Sequence, residues 1–512
     1  MPQRREKWLV GAVILLFLII ISAPYLVAQA STKQDLYFSG FLLNPVDGHS
    51  YLAKMRQGLE GAWFFTLPYT AEPGAGAAIN LYYLFLGHIS GGLAWSLLFT
   101  FHASRVAGAL LLALALYRLF ARVFSQPGPR LVALVLTLFG SGLGWLAISL
   151  GGFSSDFWVA EAYPFLASYT NPHFALGLAI QVWLLTPLQS DALIGWQRLV
   201  ATAGAAAMLS ILYPFGWAVA AAVWTAWVAW QAWRRDLARA ELRHWGAILL
   251  GGAPYALYAY LVIRSHPVLA LWDAQNLTPA PPLLDTLLAL SPALILAALG
   301  AGRVFREGES QFKFLALWLI VGIALVYLPL NFQRRLISGW YIPVGALAVY
   351  ALAQLSSATV RRFASLALLF LALPTNAIII LGGLNAVSSQ QPALTSFQPE
   401  LAAFKWLEDH APGNSLVLAA PETSLRLPAY ASMQVIYAHP FETVAAGLRH
   451  AEVLAFFSGN LTQEQLAEYV ARMHIDYLFY GPRERVLGNL PSLPGWHVVY
   501  ESGDMHIWAP LP

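Results

Sequence analysis

The chain has 512 residues, of which 58% are hydrophobic and 11% charged, with 29 Lys and Arg against 26 Asp and Glu and a mean hydropathy of +0.59. Soluble domains carry roughly 25% charged residues, and a soluble globule of this composition would expose large apolar patches, which argues against a soluble enzyme, a disordered chain and a nucleic-acid binder with a basic face. Cysteine is absent, so disulfides, thiolate zinc sites and Cys nucleophiles are excluded, and the net charge of +3 carries no partner signal until it is divided between two sides of a membrane.

A helix needs about 20 apolar residues to cross roughly 30 Å of hydrocarbon. The first such run, Trp8 to Ala28, follows Arg4, Arg5 and Lys7, which places the N-terminus in the cytoplasm. Ala28-Gln29-Ala30 has the look of a signal-peptidase site, but the run exceeds the roughly 7 to 15 residues of a signal core and reads as a retained anchor. Residues 31–76 then lie outside, and Ala78 to Gly92 reads as a half-embedded helix. Further spans are expected at Ala94–Leu119, Leu131–Leu150, Phe174–Leu188, Leu199–Leu212, Phe215–Trp233, Gly246–Val262, Leu283–Leu299, Phe314–Leu328, Trp340–Leu355 and Phe363–Leu381. That makes an all-α polytopic bundle of about eleven transmembrane helices in residues 1–388, with outer loops at 31–80 and 151–172. Arg118, Arg122 and Arg130, the run Arg234 to Arg243, Arg303, Arg306 and Lys313, and Arg361 with Arg362 all fall on the cytoplasmic side.

Residues 389–512 are a different material, richer in charge and turn signals, and read as a small extracytoplasmic α/β domain. Phe404–His410, Val444–Phe457 and Gln463–His474 have helical spacing, the last with Thr462 and Gln465 as a capping box. Ser415–Ala419, Gln434–Ala438, Tyr477–Tyr480, Val498–Glu501 and Met505–Ala509 read as strands. Glu422, His439, Glu442 and His450 fall in turns and on helix faces, where a solvated surface is expected; the stretch Ala438–Thr443 lies between a strand and a helix and has the position of a loop facing the bundle. The domain is expected to cover the outer cavity and contribute to acceptor choice.

Charge is costly in a membrane protein, so the charges near outer span ends are the informative ones. Asp47 is a carboxylate beside His49, Lys54 and Arg56 on an interfacial segment rimmed by Tyr51, Trp63, Phe64 and Phe65. It reads either as the cap of a helix beginning after Pro45 or as a chemical group. In the second outer loop, Glu161 sits in an aromatic stretch, and His173 follows Asn171-Pro172 at a helix start. Arg105 lies inside a span, either snorkelling or lining a cavity. Arg334 and Arg335 break the positive-inside pattern in an outer loop of about ten residues; two guanidinium forks at that depth suit either ordinary headgroups or a specific lipid phosphate.

With "NPVDGHSYLAKM" directly after the first span, "FQRRL" late in the bundle, and "APETSLRLPAY" and "YAHPFET" in the tail, the chain resembles the GT-C glycosyltransferases. These are polytopic enzymes that move a sugar from a polyprenyl-phosphate carrier to an acceptor on the outer face. The resemblance implies that Asp47 is the general base of an inverting transfer and that Arg334, Arg335 and Arg105 hold the donor phosphate, with His49, Lys54 and His173 as further substrate contacts. It also implies a polyprenyl-phosphate-linked sugar as donor, a lipid, glycan or protein acceptor, a place in the plasma or inner membrane among its lipids, and no nucleic-acid partner. Many family members carry two adjacent acidic residues in the first loop, whereas Gly48 follows Asp47 here, which makes Glu161 the second candidate carboxylate. No close acidic pair supports a divalent metal, and no cofactor is expected. A transporter or flippase would place its charges near the midplane, and a non-catalytic scaffold with a partner-binding outer domain is the third reading.

Overall fold

The computed structural model describes residues 4–32, 35–188, 195–489 and 493–511. It divides into two compact units. The first takes Met1–Leu26, His102–Tyr258 and Thr278–Asn385; the second takes Val27–Phe101, Ala259–Leu277 and Ala386–Pro512. The second unit's last segment begins at Ala386, and that unit also takes in the chain around Asp47.

The first unit is helical. Among the described residues, five helices are long and apolar enough to cross a membrane, or six when the bent pair Leu283–Leu290 and Ala293–Glu307 counts as one; Pro127–Phe139, Pro172–Leu184 and Ser310–Val326 are shorter apolar helices. The run expected as a single span over 283–299 is therefore two helices meeting at 88°. Pro292 stands at the break, where its missing N–H and its ring cannot continue the helix. The span expected over 131–150 is likewise Pro127–Phe139 followed by the short Gly144–Ser149. Several helices open on proline, including Pro127, Pro164, Pro172 and Pro214, at the position where a lost N–H costs nothing. Tyr341–Ala353 is buried on nearly every face, as a helix that is apolar all round should be. It packs on Ala293–Glu307, where Gly300 lets the backbone of Leu347 approach more closely than a Cβ would permit.

The second unit carries all the strands. β1 (Leu36–Phe38) and β2 (Thr395–Phe397) form an antiparallel pair that the sequence reading missed. β3 (Leu416–Leu418), β4 (Gln434–Val435), β5 (Tyr477–Tyr480), β6 (Trp496–Ser502) and β7 (Met505–Pro510) form a five-stranded sheet in the order β4-β3-β5-β7-β6. β3 runs parallel to β4 and β5, while β7 runs antiparallel to β5 and β6. Alternation along β3 feeds two cores: Val417 joins Phe404, Leu407 and Phe479 on one face, and Leu416 and Leu418 join Phe456, Phe457 and Leu466 on the other. A strand apolar on both faces is what a central parallel position requires. The helix Pro45–Leu59 packs on Leu81–Leu93, and Gly58 and Gly87 stand where any Cβ would strike the partner's backbone.

Candidate functional site

Two clusters hold the charges singled out above, one in each unit. In the second unit, the helix Pro45–Leu59 places Asp47, Ser50 and Lys54 on one face, at the spacing of successive turns. Asp47 does not cap this helix. Asn44 occupies the cap position with φ 51°, a conformation Asn tolerates, and its Nδ2 donates to Asp47 Oδ2.

The partners of this face come from residues 438–443. His439 is buried, and its Nε2 lies 3.3 Å from Asp47 Oδ1. Its Nδ1 accepts the backbone N–H groups of Phe441 and Glu442, each at 3.2 Å. A ring nitrogen that accepts two N–H groups cannot carry a proton, so Nε2 holds it and donates to Asp47. The loop is closed by Thr443 Oγ1, which accepts from the N–H groups of Ala438 and His439 at 3.3 Å. Lys54 Nζ donates to Glu442 Oε1 at 2.6 Å and to Ser50 Oγ, and Ser50 Oγ donates to Glu442 Oε1 at 2.7 Å. The other oxygen of Glu442, Oε2, is buried without a hydrogen-bond partner.

Burial acts to raise the Asp47 carboxyl, but the hydrogen bonds from His439 and Asn44 and the positive charge of Lys54 outweigh it and hold the group below the ordinary aspartate range. Glu442 is likewise lowered: burial opposes ionisation, and Lys54 and the Ser50 hydroxyl overcome it. The Asp47 side chain is 38% exposed, against 12% for Glu442 and 4% for Lys54, so Asp47 is the member that an incoming molecule reaches. His439 and Glu442 were expected on a solvated surface; His439 is instead buried and Glu442 half-buried, both against the Asp47 helix. Glu422, by contrast, is the exposed end of an ion pair with Arg483.

His49 points elsewhere. Two residues along a helix is about 200° of rotation, and its ring is turned into the core at 5.3 Å from that of Phe41. Neither ring nitrogen has a hydrogen-bond partner, and burial, with the charges of Arg426 and Arg483, holds the ring well below the ordinary histidine value.

In the first unit, Arg334 and Arg335 lie on the 3₁₀ turn Gln333–Ile337. The N–H of Arg334 donates to Thr278 O at 3.0 Å, and Gln333 Oε1 accepts from Ala280 N–H at 3.1 Å, so the turn is fastened to the segment before Leu283. The guanidinium of Arg334 stands 4.9 Å from the Trp158 ring centre and that of Arg335 5.2 Å from Phe215. Arg334 makes no ion pair among the described residues, and its Nε is buried without a hydrogen-bond partner. Gly339, just beyond the turn, donates its N–H to Glu161 O at 2.8 Å. Glu161 is buried, and its carboxylate has neither hydrogen bond nor ion pair among the described residues. The Tyr213 hydroxyl feels the charges of Glu161, Arg335 and Arg334, and the His173 ring lies 6.3 Å from the Tyr213 ring. The structure therefore brings Glu161, Arg334, Arg335 and His173 into one neighbourhood.

Arg105 and Asp156 have other work. Arg105 is buried; its Nη1 donates to Ile21 O at 3.1 Å and Ser168 O at 2.9 Å, and its guanidinium sits 4.4 Å from the Tyr25 ring centre. It ties three helical segments together. Asp156 accepts from Ser154, Ser141 and the N–H groups of Gly142 and Gly144, which anchors the start of the Gly144–Ser149 helix. Among the described residues, no three His, Cys, Asp or Glu side chains gather as metal ligands.

No protein-family model matches the sequence, and no curated protein matches it. Solved structures do. The Archaeoglobus fulgidus oligosaccharyltransferase in its apo form superposes with a TM-score of 0.58 at 12% identity, over 99% of this chain and 75% of that one. Its complex with Zn and sulfate gives 0.52 at 13%, over 98% and 74%. The arabinofuranosyltransferase AftD from Mycobacteria gives 0.51 at 14%, over 100% of this chain and 40% of that one. At these identities the likeness speaks to the fold alone, which this chain shares with those proteins.

Proposed function

We propose that the protein is an inverting membrane glycosyltransferase that moves a sugar from a polyprenyl-phosphate donor to an acceptor hydroxyl, with Asp47 as base. The observation that carries this reading is the setting of Asp47: a reachable carboxylate, kept ionised by its neighbours, in a chain whose fold is shared with two glycosyl-transferring enzymes. The acceptor hydroxyl gives its proton to Asp47 as its oxygen attacks the anomeric carbon. The bond from that carbon to the phosphate oxygen breaks on the opposite face, and the lipid phosphate leaves with the electron pair. A carboxylate held below its ordinary range is a weak base, so its service is chiefly to orient the hydroxyl, and the larger gain comes from stabilising the leaving group. Arg334, a guanidinium with no carboxylate partner among the described residues, is the group assigned to that charge, with Arg335 beside it. Glu161, a carboxylate without an ion pair among the described residues, is the alternative base. Eleven spans, a cytoplasmic N-terminus and an extracytoplasmic Asp47 complete the reading.

The test is transfer by the full chain in nanodiscs, using radiolabelled polyprenyl-phosphate sugars and a panel of hydroxyl acceptors. Wild type should transfer label, Asp47→Asn should lose about a hundredfold to ten-thousandfold, and the product should have the inverted anomeric configuration. Undiminished transfer by Asp47→Asn with loss in Glu161→Gln would move the base to Glu161; undiminished transfer in both would sink the mechanism.

A further inference from the structure

Away from both clusters, the first unit has a cavity of about 260 Å³ lined by Arg118, Arg122, Arg198, Trp183, Thr186 and Pro187. Three guanidinium groups share this space. Arg122 donates its Nε–H to Pro187 O at 3.2 Å, which fixes that side chain in the wall and leaves its terminal N–H groups for the cavity. Among the described residues none of the three forms an ion pair, although Glu6 neutralises Arg130 nearby in the sequence at 3.2 Å and Asp236 lies 3.6 Å from Arg234. Like charges held together around one hollow repel unless an anion is present. A second cavity of about 440 Å³ shares Arg122 and Pro187 and adds Gln231, Gln311 and Ser310 together with the carboxylates of Asp236, 3.6 Å from Arg234, and Glu241, which accepts from Trp227 Nε1, so the anion site is confined to the smaller cavity. The helices that carry these arginines are Leu97–Val123 and Trp196–Leu212; Arg118 and Arg122 belong to a cluster that the positive-inside pattern assigns to the cytoplasm, and Arg198 lines the same cavity.

We infer that this cavity is a phosphate-binding site, independent of the transfer chemistry, that takes the phosphate of an anionic lipid headgroup or a free phosphate. Basic pockets between transmembrane helices on the cytoplasmic side suit phosphorylated headgroups, and guanidinium forks match phosphate oxygens bidentately. Trp183 and Thr186 at the rim give the remainder of a headgroup an aromatic edge and a hydroxyl to meet.

The test uses the full chain in two settings. Native mass spectrometry of protein released from phosphatidylglycerol-containing nanodiscs counts retained lipid, and equilibrium dialysis of protein in phosphatidylcholine nanodiscs against radiolabelled inorganic phosphate measures the free anion. Arg118 and Arg198 are exposed, so Arg118→Gln with Arg198→Gln should leave the melting temperature unchanged. At about a five- to sixfold loss per cation, binding should weaken roughly thirtyfold in that double variant. Arg303→Gln with Arg306→Gln removes the same charge elsewhere on the basic side and should bind like wild type. Saturable binding of the free ion identifies soluble phosphate as the ligand, and retention of phosphatidylglycerol alone identifies the lipid headgroup. Equal weakening in both double variants would reduce the effect to a diffuse surface field, and no binding by wild type in either setting would remove the site.

Discussion

Removal of the His439 ring is the most informative perturbation of the Asp47 cluster. Two backbone N–H groups on Nδ1 fix the ring with Nε2 toward Asp47, and its hydrogen bond, 3.3 Å long, is the larger of its two lowering effects on that carboxylate, ahead of its electrostatic attraction. A hydrogen bond to a charged group contributes about 1.5–3 kcal/mol, and one pKa unit is about 1.36 kcal/mol. The Asp47 side chain is 38% exposed, so solvent screening takes roughly half of this, and His439→Ala should raise the Asp47 pKa. The sign follows from the charge. Losing a donor disfavours the carboxylate, so the acid limb of the rate profile moves to higher pH. Orientation is lost as well, and the neutral-pH turnover should fall by up to about a hundredfold. His439→Gln, whose Nε2 can donate from a similar position, should return the acid limb toward wild type. The assay is turnover by the nanodisc-embedded enzyme against pH between 3 and 8, on samples with matched thermal melts. An acid limb that stays in place in His439→Ala, or that moves equally in both variants, would refute the assignment of His439 as a positioning residue for Asp47.

Arg334→Gln should reduce kcat/KM for the lipid-phosphate donor by about a hundredfold without lowering the melting temperature, whereas Arg105→Gln should lower melting and leave the donor KM unchanged; initial-rate kinetics with differential scanning fluorimetry separate the two. Lys54→Ala leaves the half-buried Glu442 without its cation, held only by Ser50, and should destabilise the second unit by up to about 3–5 kcal/mol, while Lys54→Met with Glu442→Leu should cost far less, as read from denaturant melts. Asp47 and Glu442 both have lowered pKa values, so their stabilisation is complete above the unfolded carboxylate range and drains as pH falls through the folded values; melts should therefore decline below about pH 4, and Glu442→Gln should flatten that decline. Gly87→Ala would drive a Cβ into the backbone of Met55 and should lower melting by several degrees, whereas Gly91→Ala, which meets only the end of Leu59, should cost little.

The helices were legible because length and hydropathy suffice to locate an apolar run, and the tail strands because alternation and turn residues bound them. Direction was not. The run after Leu283 carried its break in plain sight at Ser291-Pro292, yet apolar character is indifferent to an 88° bend. β1 and β2 are three residues each and pair across more than 350 positions, so neither has local periodicity to read. Within the site, helical arithmetic alone would have separated His49 from Asp47 and joined Asp47 to Lys54. His439 and Glu442 were misplaced for a different reason: polarity says surface, and only a tertiary partner reverses it. The available signal was the unmatched Lys54 on a face that also carries Asp47, which calls for a buried anion from elsewhere in the chain.

That borrowed anion sets an order of events. Asp47 and His439 are separated by 392 positions, so at about 5–20 residues per second the ribosome needs roughly 20 to 80 seconds between making the first and making the second. During that interval Lys54 has no Glu442, β1 has no β2 until Thr395–Phe397 is made, and the helix bearing Asp47 waits without its companion. A prematurely terminated chain that inserts all its apolar helices would still lack the loop that finishes the carboxylate's surroundings. On the proposed reading, a chain stopped before residue 443 carries Asp47 without His439 and Glu442 and should transfer no sugar.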